Sequence, residues 1–222
     1  AGGTLLAALL LSPLPAGAQE EAFALDEVVV TAQKRTERLV DVPVAISVFS
    51  ANSIDQTGVR ELKEVSGYIP NMQISKGNDF RSTVTIRGVG AQSRNIGFDS
   101  RVGVYIDGVY VGQSPAINQE LLNLERVEVL RGPQGTLFGK NTVAGAINLI
   151  TKKPDDELRG TASVDIGNLD YREWRGFLNL PISDTVSTAF AVSKTDRDGY
   201  VPNIITGNEL NERDVLAYRA QL

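Results

Sequence analysis

Apolar and polar positions alternate with a period of two over Asp41 to Phe49, which predicts the opening strand of a domain. Ser50 or Asn52 then stands where a helix cap belongs, ahead of a short helix through Gln56 that Gly58 breaks. Val59 to Val65 offers a second helical turn closed by Gly67, and Pro70-Asn71 ends this helical part. Met72 to Ser75, Thr83 to Arg87, Val102 to Ile106 and Val109 to Val111 read as further strands, the last two joined by Asp107-Gly108, a strong hairpin signal. Val127 to Leu130 and Ala146 to Thr151 carry the apolar, β-branched density of buried strands. Mixed strands and short helices over residues 40–154 therefore predict an α+β domain. From Arg159 the pattern changes to longer alternating stretches, Thr161 to Gly167, Arg175 to Leu180, Val186 to Thr195 and 213–222, separated by turn signals at Asn168-Leu169-Asp170 and Pro181 to Asp184.

The amino-terminal end is of another kind. Leu5 to Leu11 is an unbroken apolar run followed by Pro13, Pro15 and the small-residue pattern Ala16-Gly17-Ala18, so residues 1–18 are expected to be a secretory signal. No apolar run reaches the roughly 20 residues that a spanning helix needs. Beyond the cleavage site, three consecutive valines and Thr31 have strong extended preference, yet polar residues flank them and they stand alone. A lone strand leaves its backbone groups unsatisfied until it pairs. Two readings stay open: a first strand of the domain's own sheet, or a segment that adds to the edge of another protein's sheet.

Composition removes several classes of chemistry. The chain has neither Cys nor His, which excludes disulfides, Cys/His zinc sites and Ser-His or Cys-His nucleophiles within it. A formal net charge of -5 argues against a nucleic-acid partner. Gly135 to Asn141 resembles a phosphate loop only superficially, with three residues between its glycines and Asn141 where a hydroxyl should be, and Asp155-Asp156-Glu157 reads as a solvated turn. No enzyme and no cofactor is expected.

The run Leu124 to Pro154, LERVEVLRGPQGTLFGKNTVAGAINLITKKP, resembles the end of the plug domain of TonB-dependent outer-membrane transporters. Thr85-Ile86-Arg87-Gly88 and Val104 to Tyr110 resemble earlier parts of the same domain, in the family's order; Phe138 departs from a common Tyr and Ala144 from a common Gly. Asp26, Glu27, Val28, Val29, Val30, Thr31 and Ala32 look like the family's TonB box. The resemblance implies a periplasmic partner, TonB, that grips this strand. It also implies that Arg87 and Arg131 face carboxylates of a barrel wall and lock the plug, against the plainer reading of two solvated arginines at turns. The loops Gly88 to Ser100 and Gly112 to Gln119 would form the floor of a ligand site, with Asn95, Ile96, Phe98, Asp99, Gln113, Ser114 and Pro115 as candidates, or be simple connectors.

The implied organisation is a signal (1–18), a periplasmic segment with the box (19–39), a plug (40–154) and the first antiparallel strands of a large transmembrane β-barrel (155–222). The short spacing between the expected signal and the box would leave no room for an extra signalling domain, and the barrel is expected to be truncated at Leu222. A soluble β-sandwich shows similar alternation, so the strands after residue 158 do not by themselves decide between the two. The function implied is ligand import across the outer membrane of a bacterial cell, with plug and amino terminus toward the periplasm, lipid around the barrel and a ferric siderophore or other metal chelate as cargo. The competing reading is a secreted plug-like binding or adhesion domain.

Overall fold

The computed structural model describes residues 28–31, 34–76, 82–90, 100–112, 116–117 and 119–222; the expected signal lies outside them. In chain order the elements are β1 (Val29–Val30), β2 (Glu37–Arg38), β3 (Ala45–Ser50), α1 (Ala51–Thr57), α2 (Leu62–Val65), β4 (Met72–Lys76), β5 (Ser82–Ile86) and β6 (Val89–Gly90). There follow β7 (Val102–Ile106), β8 (Val109–Tyr110), β9 (Leu124–Arg131), α3 (Gly135–Phe138) and β10 (Gly145–Thr151). The remainder is strand: β11 (Arg159–Ile166), β12 (Arg172–Ser183), β13 (Val186–Arg197), β14 (Val201–Pro202), β15 (Glu209–Leu210) and β16 (Arg213–Gln221).

The first unit is built on a five-stranded sheet in the order β3-β9-β10-β7-β8. It is mixed: β10 runs parallel to β7 but antiparallel to β9, and β9 is antiparallel to β3. Strand alternation sends Val127, Val129, Ile147, Leu149, Val102 and Val104 to one face, where they join Phe49, Leu62, Val65, Met72, Val84 and Ile86 in the main core. The opposite face presents Leu130, Ala146 and Tyr105, packed with Val30 and Phe138. Because both faces are covered, β10 reads as a nearly continuous apolar run and β9 is apolar at Val127, Val129 and Leu130. Gly145 sits where a Cβ would collide with the Leu130 carbonyl and approach Ile86 Cδ1 at 2.8 Å, so the close contact of β10 with β9 needs glycine there.

Local signals explain most boundaries. Ser50 Oγ accepts from Ser53 N at 3.2 Å and starts α1, which ends on left-handed Gly58. Asp107 and Gly108 have φ of 47° and 84°, the primed turn that suits a tight hairpin.

Three expectations are corrected. The opening strand begins at Ala45 rather than Asp41, since Leu39–Asp41 closes a 3-10 turn fixed by Arg38 Nε donating to Asp41 Oδ2 at 2.6 Å, and Pro43 follows without a donor. The second helix is confined to Leu62–Val65, because Glu61 and Glu64 form a capping box that holds the preceding residues extended. Strand β12 does not turn at Pro181 but continues to Ser183 through a bulge, which accommodates the missing proline N–H near the strand end.

The second unit is an antiparallel sheet in the order β11-β12-β13-β16, with the β14-β15 hairpin in the connection between β13 and β16. Its alternation is inverted relative to a soluble sandwich. Val164, Ile166, Trp174, Leu178, Phe190, Val192, Leu216 and Tyr218 are exposed, whereas the buried inward positions include Glu173, Asn179, Ser193 and Thr195. A sheet whose apolar face is open and whose polar face is covered suits a lipid-facing barrel wall around a polar interior.

Candidate functional site

The segment carrying the three valines is neither alone nor a member of the main sheet, and this corrects the expectation of an unpaired strand. Val29 pairs antiparallel with Arg38 and Val30 with Glu37, so the charged run that follows supplies the partner. Lys34, at φ 60°, donates its N–H to the Thr31 carbonyl at 2.9 Å and reverses the chain. The ribbon lies on the second face of the plug sheet, with Val30 fully buried against Leu130, Tyr105, Phe138 and Ala146. Burial of one valine is worth about 1.5–3 kcal/mol. Val28 and Val29 remain exposed at 43% and 39%, so the two valines ahead of the buried one are accessible.

The outer edge of β1 has a specific partner. Leu39 N–H donates to the Val28 carbonyl at 2.8 Å, which makes Val28·Leu39 and Val30·Glu37 the hydrogen-bonded pairs of the ribbon. The N–H groups of Val29 and Thr31 therefore point to the other side. There the Thr31 N–H donates to Glu128 Oε1 at 2.7 Å, and the Thr31 hydroxyl lies 3.2 Å from the same oxygen. Glu128 projects from β9 and is fully buried; Arg126 Nε donates to it at 2.8 Å and Asn148 Nδ2 lies at 3.5 Å. Asp26, Glu27 and Ala32 of the expected box lie outside the described residues.

A second polar assembly joins plug to barrel wall. Arg60, between α1 and α2, donates from Nε to Glu173 Oε2 at 2.8 Å and stands 3.7 Å from Asp165. Arg175 Nε is 3.2 Å from Glu173 Oε1, an ion pair without hydrogen-bond alignment. Beside it, Arg213 of β16 reaches Glu120 and, at 3.2 Å, Glu61. Burial raises the Glu120 pKa above its usual value, with the Arg213 guanidinium opposing the shift. Gln221 extends the contact, donating to Thr151 Oγ1 at 2.6 Å and accepting from Asn123 Nδ2 at 3.2 Å. None of these pairs was expected from sequence. The usable signal was the placement of Glu173, Arg175 and Arg213 on strands otherwise alternating small and apolar residues.

Arg87 lies in the turn after β5, and Arg131 ends β9 close to it. Arg87 is exposed with φ 52°, and its Nη1 lies 3.9 Å from where a Cβ on Gly132 would stand, directly after Arg131. Arg131 Nε is buried with no hydrogen-bond partner among the described residues. Asn95, Ile96, Phe98, Asp99, Gln113, Ser114 and Pro115 all lie outside the described residues. Phe138 stacks edge-on to Tyr105 at 5.1 Å, and the Tyr105 hydroxyl donates to the Phe138 carbonyl, so the plug keeps a hydroxyl contact here without a tyrosine at 138.

A family model for the TonB-dependent Receptor Plug Domain matches residues 38–146. The pesticin receptor of Yersinia pestis is 33% identical over 204 residues, which are 90% of this chain and 30% of that protein. The chain belongs to the TonB-dependent receptors. The crystal structure of the ferric yersiniabactin uptake receptor FyuA from Yersinia pestis superposes on this TonB-dependent receptor with a TM-score of 0.70 at 30% identity, covering 80% of this chain and 28% of that one. The iron-regulated outer membrane virulence protein of Vibrio cholerae is 27% identical over 85% of this chain and 30% of its own length. The chain thus spans 30% of the length of each of these two curated relatives. The mixed sheet is its plug, and β11, β12, β13 and β16 are strands of the receptor's barrel.

Proposed function

We propose that this receptor imports a small extracellular ligand across a bacterial outer membrane and draws its energy from TonB, which captures the segment from Asp26 to Ala32 by strand addition. The observation that carries the reading is the accessible Val28–Val29 stretch on a short ribbon outside the main sheet, ahead of a plug that joins a lipid-facing wall. Backbone bonds are each worth about 0.5–1.5 kcal/mol net, so a few of them give a reversible grip that force can load together. The plug and amino terminus face the periplasm. Arg87 and Arg131 pair with carboxylates of the barrel wall, a role that fits an Arg131 Nε with no hydrogen-bond partner among the described residues.

The ligand class is a ferric siderophore or related metal chelate, in keeping with the uptake receptor for ferric yersiniabactin among the solved relatives. Loops containing residues 95–99 and 113–115 form its seat. The role is transport rather than catalysis. The test uses the full-length receptor carrying Val29→Pro, which removes one edge donor and fixes φ. Cells expressing it should bind a panel of ferric siderophores as the wild type does but fail to accumulate iron from them. Undiminished accumulation would refute coupling through this segment.

A further inference from the structure

We infer that Glu128 is the group that holds the amino-terminal ribbon closed, by occupying the edge N–H that an incoming partner strand must use. The inference rests on the reading of residues 26–32 as the coupling segment. An adding strand bonds along the free edge of β1 through the N–H and C=O groups of Val29 and the N–H of Thr31, whose carbonyl already accepts from Lys34, and that Thr31 N–H is taken by the Glu128 carboxylate at 2.7 Å. The carboxylate stands where a partner's carbonyl would stand.

Several features suit it to this task. Glu128 lies on the face of β9 that meets the ribbon, two residues from Leu130, which packs on Val30. A carboxylate acceptor makes a stronger hydrogen bond than a backbone carbonyl, and Arg126 Nε donates to the same fully buried carboxylate at 2.8 Å, which fixes its position. A neutral apolar residue at 128 would serve the sheet equally well, as Val127, Val129 and Leu130 around it do, so packing alone gives no reason for a carboxylate there. Strand addition must therefore break the Thr31–Glu128 bond, and extension of the pairing past Thr31 also draws Val30 out of its apolar contacts. Capture begins at the exposed Val28 and Val29 and meets its resistance at Thr31.

The experiment uses the full-length receptor with Val30→Cys, reacted with a maleimide under native conditions, so that the labelling rate reports how often the ribbon lifts. Glu128→Ala should raise that rate about 10- to 100-fold, the range set by losing a hydrogen bond to a charged group. Glu128→Gln, which keeps the shape and an acceptor oxygen, should raise it less. A cysteine at Val84, buried in the opposite core, should label no faster in either variant. An unchanged rate at residue 30, or an equal rise at residues 30 and 84, would overturn the holding role, the second because it would mark general loss of plug structure. Crosslinking of the periplasmic domain of TonB to residue 28 is read separately. Faster labelling with no crosslink in any variant supports the holding role and refutes the coupling reading.

Discussion

Replacement of Glu173 by alanine strips the plug–wall contact of the carboxylate that two arginines share. Arg60 Nε stands 2.8 Å and Arg175 Nε 3.2 Å from it, and Glu173 is fully buried while the Arg60 and Arg175 side chains keep 16% and 19% exposure. Removing one member of a buried pair costs about 3–5 kcal/mol. The residual exposure of both guanidinium groups, and the retained Asp165 at 3.7 Å from Arg60, reduce the expected loss to about 2 kcal/mol. The loss should appear locally, in hydrogen exchange of the Leu121 amide, which donates to the Arg60 carbonyl at 2.7 Å, and of the Leu62 amide, which donates to Gln119 O at 3.3 Å. In the full-length receptor, Glu173→Ala should speed exchange at both amides about 30-fold, the equivalent of that free energy. Arg60→Ala should do the same, and the double variant should fall well short of the sum. Exchange within twofold of wild type, or strict additivity, would show that the pair contributes nothing to holding plug against wall.

Two further outcomes test other parts of the molecule. Val192→Arg places a charge among the exposed apolar residues of β13 and should destabilise the full-length receptor in lipid bilayers by about 2–4 kcal/mol, measured by reversible denaturant unfolding; a soluble-sheet reading predicts almost no change at a site already 45% exposed. Glu120, whose pKa is raised from 4.5, holds its proton more tightly in the folded chain than in the unfolded one, so its contribution favours folding at low pH and is lost as pH rises from the unfolded pKa through the raised folded value. The stability difference between wild type and Glu120→Gln should therefore change between acid and neutral pH, with wild type losing ground as pH rises above 4.5; a pH-independent difference would remove Glu120 as the titrating group.

The plug strands were legible because each carries its own local signature, from the Asp107-Gly108 hairpin to the Ser50 cap and the dense Val127 to Leu130 run. The partner of β1 was not, because Glu37 and Arg38 sit in a charged run with no apolar alternation to mark a strand. Arg60 and Glu173 are 113 residues apart, and no local rule pairs charges over that distance. Glu128 carries no local signal: a single carboxylate in a β-rich motif does not say which face it takes, and its full burial against Thr31 is visible only in the fold. The inverted alternation of the wall likewise needed exposure values, since periodicity alone marks two faces without saying which one meets solvent.

Strand β9 has neighbours along both flanks, β3 and β10, and so behaves as a stiff bar rather than a string of independent residues. Arg131 terminates it, and Glu128 lies three positions back, roughly 10 Å along the axis. Any rearrangement that shifts the arginine lengthwise must carry the carboxylate with it, without an intervening joint to absorb the travel. Displacements at the arginine end of β9 and at its contact with the amino-terminal ribbon are thereby geared to one rigid element.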